Sequence, residues 1–349
     1  MNPITVMNEI APEALDLVEQ RYLILRTVYF MAPVGRRAIA QRLEKSERTI
    51  RKEVDVLRER GFLIGNYAGM SLSSDGERIL TDLREYIRQM HGLTHLEQEL
   101  KEVLKVKKVI IVPGDSDQDM VVKQDLAKAT ARYLRQVLKN GDVLAVTGGT
   151  TLSQVAASFP SDGTKRDVIV VPARGGLGED VTIQANSIAA KLAQGLGGSY
   201  RLLHAPDNVD SNLVSTIVAD PQIRDVITLV RRANVLLHGI GTAEEMASRR
   251  GLDEEHVMQL IIDGAVGEAF GYYFDPKGQI VYATSSLGVR LEDLGKIPLI
   301  VAVGGGKSKA WAVLSVVSTG YCDVCITDEG GARRLMSLLK HKEEHVNGN

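Results

Sequence analysis

The stretch 142–154, DVLAVTGGTTLSQ, constrains the fold of this chain more than any other. Val143, Leu144, Ala145 and Val146 form a short, continuously apolar run, the pattern of a strand buried on both faces of a parallel sheet. The run stops at Gly148 and Gly149 and turns straight into a helix through Thr150 and Thr151. Glycines let the backbone approach a ligand, threonines add hydroxyls, and the first N–H groups of a helix have no partner inside it. Such a turn satisfies negative oxygen atoms, although a ligand-free strand-to-helix connection has the same local signature.

Ahead of it the pattern is helical. Apolar spacing at Leu15, Val18, Tyr22, Leu25 and Val28 predicts a helix over 12–31. After Pro33 and Gly35 a short helix over 36–43, a tight turn at Glu44 and Lys45, and a helix N-capped by Ser46 and running to residue 60 give helix-turn-helix spacing. In the last of these Ile50, Val54 and Leu57 form the inner stripe. Arg48, Thr49, Arg51 and Lys52 fall on the other side, placed with Arg36 to reach a DNA groove. Residues 36–60 hold nine Lys or Arg against five Asp or Glu, in a chain whose net charge is -2. The basic patch is therefore local, and it suits phosphate neutralisation. FLIGNYAGMSL, 62–72, reads as a hairpin wing beside it. A plain three-helix bundle with a solvated charged face is the alternative. Capping boxes at Ser74 with Glu77 and at Thr94 with Glu97 start and, after Gly92, restart a helix whose apolar stripe, Leu80 to Val103, needs a partner, either within the chain or in a second copy.

From residue 106 apolar runs at 109, 143, 168, 235, 299 and 324 alternate with helical stretches such as 117–139, which predicts a mostly parallel sheet covered by helices. With 349 residues and 44% hydrophobic content the chain has material for two domains. The expected division is 1–90 for a winged helix-turn-helix, 91–105 for a linker helix, 106–340 for an α/β effector and oligomerisation domain, and 341–349 for a polar tail whose composition argues against order. Ligands of such sheets gather at the carboxyl ends of strands. Those ends carry GGTT, PARGGLGED, HGIGT, GGGKSKA and ITDEGG.

Arg174 offers a planar fork to a phosphate, or a structural ion pair. Gln184 and Asn186 place amides where sugar hydroxyls would bind, or where they cap a helix. Lys307 and Lys309 follow a Gly-rich turn in a phosphate-friendly layout, yet GGGKSKA is no Walker A loop, because Val301 stands where the first glycine is required. The dinucleotide fingerprint is also missing. Glu268 can accept hydroxyl protons or act as a base. Arg249 and Arg250 read as ligand contacts or as surface charges, and His238 reads as a core histidine at the end of a strand. Only Cys322 and Cys325 occur, so no disulfide framework is available, and their strand setting opposes a metal or redox pair. No apolar run is long enough to span a bilayer and the amino terminus has no signal-peptide pattern, so a cytoplasmic protein is expected.

The winged helix-turn-helix followed in order by VTGGTT, VPARGG, GAVGE, GGGKSKA and DVCITDEGGA resembles the SorC-type family of bacterial regulators that respond to phosphorylated sugars. The resemblance covers nearly the whole chain. It implies a carboxyl-terminal domain similar to the sugar-phosphate isomerase and glucosamine-phosphate deaminase fold, kept as a sensor. It further implies repression of a glycolytic operon, relieved by fructose 1,6-bisphosphate or a related phosphate, by a homodimer or homotetramer on double-stranded operator DNA. The implied effector residues are Gly148, Gly149, Thr150, Thr151, Arg174, Gly175, Gln184, Glu268 and Lys309, to which the reading of the Arg249–Arg250 pair adds Arg250 as a ligand contact, with no cofactor, metal or catalytic residue expected. The alternative is an enzyme of the same fold that isomerises or deaminates a sugar phosphate through Glu268, Asp263 or His238.

Overall fold

The computed structural model describes residues 3–159, 165–177, 180–207, 209–284 and 287–347. The chain divides into two compact units, Met1–Thr94 and His95–Asn349.

The first unit holds α1 (Pro3–Ile10), α2 (Pro12–Met31), α3 (Arg36–Arg42), α4 (Glu47–Glu59), the hairpin β1 (Leu63–Asn66) and β2 (Gly69–Leu72), and α5 (Ser74–Met90). Its core joins Tyr22, Leu25 and Val28 of α2 to Ile39 of α3, Ile50, Val54 and Leu57 of α4, and Leu80 and Ile87 of α5. The Ser46 hydroxyl accepts from Thr49 N at 3.1 Å and so starts α4 as its sequence predicts. Val34 bridges to Met70, fastening the wing to the segment that enters α3.

Two predicted caps move. Ser73, not Ser74, caps α5, accepting from Gly76 N at 3.0 Å while its hydroxyl donates to Gly61 O at 2.6 Å. The wing's exit thus fixes where that helix begins. The next helix, α6 (Leu93–Leu104), already contains Thr94, and Glu97 accepts from Ile111 N at 2.7 Å instead of closing a capping box.

Beyond α6 the second unit runs β3 (Lys108–Val112), α7 (Met120–Val137), β4 (Val143–Val146), α8 (Thr150–Ala157), β5 (Ile169–Pro172), α9 (Ala185–Leu196), β6 (Ser199–Tyr200), α10 (Ser211–Ala219), α11 (Pro221–Arg231), β7 (Val235–Gly239), β8 (Gly241–Thr242), α12 (Ala243–Arg249), α13 (Glu254–Ile262), β9 (Gly267–Ala269), β10 (Tyr272–Phe274), β11 (Ile280–Ala283), α14 (Leu291–Leu294), β12 (Leu299–Val303), α15 (Ala310–Ser318), β13 (Val324–Asp328) and α16 (Glu329–Asn347). Seven strands form one parallel sheet in the order β3-β13-β12-β7-β4-β5-β6, and all six runs expected from the sequence lie in it. Alternate strand residues, Leu144 and Val146, Leu237, Val301 and Val303 among them, pack on Val122, Leu126, Leu152, Val155, Ile188 and Leu192 of α7, α8 and α9.

Chain order runs outward in opposite directions from β4 and β7, which are neighbours, so their carboxyl ends flank the topological switch point where open α/β sheets bind ligands. A four-stranded antiparallel sheet, β11-β10-β9-β8, follows directly from β7 and carries Glu268 to the same edge. The stretch expected to be a polar tail continues α16 to Asn347, since its Lys and Glu residues are good helix formers on an established helix; residues 348–349 lie outside the described residues. Gly178 and Glu179 of PARGGLGED also lie outside them.

Candidate functional site

A cavity of about 860 Å³, open to solvent, lies over the carboxyl ends of β4, β5 and β7. Gly148, Gly149, Thr150, Thr151, Arg174, Gly175, Gln184, Arg250, Glu268 and Lys309 all line it, drawn from six separate stretches of the chain. Asp207, Glu245, Met246, Arg249 and Phe270 line it as well.

One wall is the start of α8. Gly149 is its N-cap at φ 123, a backbone conformation that glycine tolerates and that puts no side chain over the helix start. The first bond closing the helix is Ser153 N to Gly149 O at 3.0 Å, so the amides of Thr150, Thr151 and Leu152 lie ahead of the internal ladder, while Gly149 N donates to Ile183 O at 2.8 Å. Gly148 matters for a different reason: a Cβ there would come within 2.8 Å of Ile183 O, so only glycine lets the loop pass the start of the next crossover.

The floor is a quartet of buried charges. Arg174 donates through Nε to Asp207 Oδ1 at 2.8 Å and through Nη2 to Asp207 Oδ2 at 2.9 Å, while its Nη1 stands 3.5 Å from Glu268 Oε1. Arg250 donates to Asp207 as well, and to Glu268 Oε1 at 2.8 Å. Gly271 N closes the set on Glu268 Oε1 at 2.5 Å. All four side chains are nearly inaccessible, at 1–6% exposure. Burial pushes the Arg174 guanidinium below its usual range and Arg250 adds to this, but the fork to Asp207 keeps it charged. At Arg250 burial also opposes the charge, yet Glu268 and Asp207 outweigh it and the net displacement is upward. Gly271, at φ 81, is where the β9–β10 turn makes room: a Cβ would sit 2.5 Å from Arg174 Nη2.

A third part of the lining is more accessible. Lys309 Nζ lies 3.4 Å from Glu245 Oε2 and Arg249 Nη1 lies 4.0 Å from Glu245 Oε1, with side-chain exposures of 27%, 47% and 22% for Lys309, Glu245 and Arg249. Around the cavity four cations, Arg174, Arg249, Arg250 and Lys309, face three carboxylates, Asp207, Glu245 and Glu268, an excess of one positive charge.

Several expectations change here. Arg250 is no surface charge, since the cavity floor encloses it. The GGGKSKA turn does not offer its amides to a ligand: Gly306 N donates to Asp328 Oδ2 at 2.7 Å and Ser308 N to Asp117 Oδ2 at 2.8 Å. Carboxylates of the same chain already fill that turn, leaving the Lys309 side chain as its contribution to the cavity. Lys307 pairs with Asp115 at 3.6 Å and is not part of the lining. Asn186 clasps Leu203, donating to its carbonyl and accepting from its N–H at 3.0 Å each, a structural role. His238 is buried against Phe270, and desolvation lowers its pKa to about 4, so it stays neutral. Cys322 and Cys325 are free buried thiols, and burial pushes Cys325 up to about 12. Asp207 escaped the sequence reading because a single carboxylate in the loop APDN carries no periodicity or motif.

In the first unit Arg48, Thr49, Arg51 and Lys52 are exposed on α4. Arg36 is half-buried and bonded to Asp55 at 2.5 Å, so its charge is partly committed along the helix. Among the described residues no cluster of His, Cys, Asp or Glu could hold a metal ion, and no helix is long and apolar enough to cross a membrane.

Residues 17–87 match the CggR N-terminal DNA-binding domain family and residues 88–337 match a sugar-binding domain family. The chain is 39% identical to the central glycolytic genes regulator of Priestia megaterium over 334 residues, 95% of this chain and 98% of that one. It is also 39% identical to the central glycolytic genes regulator of Bacillus subtilis over 333 residues, with the same coverage. A solved SorC family transcriptional regulator from Enterococcus faecalis superposes with a TM-score of 0.65 at 37% identity, covering 69% of this chain and 99% of that one. These relatives are regulators and not isomerases, which sets the enzyme alternative aside. A DNA-binding domain joined to a sugar-binding domain thus places this chain in the SorC-type family of sugar-responsive transcriptional regulators.

Proposed function

We propose that this chain represses a glycolytic operon and that fructose 1,6-bisphosphate, or a closely related glycolytic phosphate, occupies the cavity and relieves the repression. The observation that carries the reading is the start of α8, a glycine-capped helix with two threonines that opens into a cavity with excess positive charge. One phosphate belongs on the amides and hydroxyls of Thr150 and Thr151, with Lys309 as its counter-charge. The second belongs on Arg249 and on Arg174 Nη1, the one terminal nitrogen of Arg174 not bonded to Asp207. Gln184 serves the sugar hydroxyls. Arg250 and Glu268 hold the floor in shape, a change from the direct ligand contacts expected of them. No cofactor is required.

The DNA side rests on α4. Arg48, Arg51 and Lys52 reach phosphates and base edges of double-stranded operator DNA in the major groove. A homodimer or homotetramer in the cytoplasm, where the operator lies, suits a two-fold site. Effector and DNA then compete through one linkage: whatever the ligand gains by preferring the DNA-free form, the operator loses.

Gel shifts of the full chain with and without fructose 1,6-bisphosphate test the scheme. Thr151→Ala should keep operator binding and lose the effector response, while Arg51→Ala should weaken the operator complex and keep effector binding by calorimetry. A Thr151→Ala protein that still releases DNA at the wild-type effector concentration overturns the assignment.

A further inference from the structure

The cavity holds its cations in two different ways. Arg174 and Arg250 are locked by side chains at 1–6% exposure, whereas Lys309 and Arg249 share one carboxylate, Glu245, which is 47% exposed. Glu245 sits in the first turn of α12, its N–H bonded to the Thr242 hydroxyl at 3.3 Å, and sends one oxygen to each cation. Both distances, 3.4 and 4.0 Å, are longer than a tight ion pair, and solvent reaches all three groups. Such a partner is readily exchanged, unlike a desolvated one.

We propose that Glu245 is a resident counter-ion of the ligand-free cavity, which an incoming phosphate must displace from Lys309 and Arg249, so that this side chain sets the effector concentration at which the regulator responds. The inference rests on the sugar-phosphate reading above and adds its regulation. A phosphate dianion and a carboxylate cannot both neutralise Lys309, and Glu245 left beside a bound phosphate would repel it. Removing the Glu245 charge raises the excess of the lining from one positive charge to two. The adjacent Glu244, exposed in the same helical turn, does not line the cavity and is the natural control.

The test is calorimetric titration of the full chain with fructose 1,6-bisphosphate in four proteins: wild type, Glu245→Gln, Glu245→Asp and Glu244→Gln. Glu245→Gln should bind about threefold to tenfold tighter, the scale of losing two partly exposed pairs. Glu245→Asp should fall between it and wild type, and Glu244→Gln should stay within about twofold of wild type. In gel shifts the effector concentration that releases half of the operator should drop for Glu245→Gln by the same factor. Equal affinity of Glu245→Gln and wild type, or equal tightening by Glu244→Gln, overturns the counter-ion role while leaving the sugar-phosphate reading intact. A wild-type protein that binds no sugar bisphosphate defeats that reading and this proposal together.

Discussion

Replacing Asp207 by Asn should damage the second unit more than any other single change in the cavity. Asp207 is 1% exposed and accepts two hydrogen bonds from Arg174 and one from Arg250. An amide of the same shape keeps one acceptor oxygen but turns two N–H donors toward guanidiniums. Two buried cations would then share Glu268 alone. Breaking a buried charge pair in this way costs about 3–5 kcal/mol, chiefly because the remaining charges stay desolvated. In a unit of this size each kcal/mol is worth about 2–4 °C, so differential scanning calorimetry should show the transition lowered by about 10 °C. Lys309→Met, which breaks a partly exposed pair, should lower it by no more than about 2 °C. The double variant Arg174→Met with Asp207→Leu removes one charge of each sign and leaves Arg250 with Glu268, so it should recover part of the loss. An Asp207→Asn protein melting within about 2 °C of wild type would show that the quartet is not held as a desolvated unit.

Three further outcomes follow from other parts of the chain. His238 is buried neutral with its pKa lowered from 6.5 to about 4, so the unfolded chain takes up the proton first; stability is full above about pH 6.5 and is lost as pH falls toward 4. Denaturant titrations should find about 2 kcal/mol less stability at pH 5 than at pH 7 from this group, a difference that shrinks in His238→Gln. Gly76→Ala should destabilise the first unit by about 1–3 kcal/mol despite the helical preference for alanine, because a Cβ there falls 2.1 Å from Phe62 O; the urea midpoint measures it. Arg51→Ala should reduce the slope of log affinity against log salt by about 1 in operator titrations if Arg51 sits on a phosphate, and an unchanged slope removes it from the contact set.

The parallel sheet was legible because strands buried on both faces, such as VLAV and LIVAV, must be apolar throughout, and their β-branched runs end abruptly at glycines. The cavity was legible for the same reason, since loops at those ends converge whatever the helices between them do. What the sequence hid is the use of polar groups on each other. GGGKSKA looks open to a phosphate until Asp117 and Asp328, from two other segments, are seen bonded to its amides. Arg250 looks like a surface charge until Asp207 and Glu268 enclose it. Glu97 looks like a helix cap until the backbone of β3 reaches it. Each of these pairings is long-range and side-chain specific, and neither periodicity nor local propensity encodes it.

The arrangement also decides what Arg174 can contribute. Its fork toward Asp207 uses Nε and Nη2, and stripping that carboxylate would leave a buried anion with Arg250 as its remaining cation, a larger loss than a new phosphate contact returns. Nη1 is bound more loosely, 3.5 Å from Glu268 Oε1, so a ligand oxygen can take it without disturbing the fork. Lysine cannot imitate this, because one ammonium group cannot hold Asp207 in two parallel bonds and still present a nitrogen to the cavity. Arg174→Lys should therefore lose both thermal stability and effector affinity, and should not trade one for the other. A variant that kept its melting temperature while losing only the effector would place Arg174 among the ligand contacts alone, and the floor of the cavity would then have to be held by Arg250.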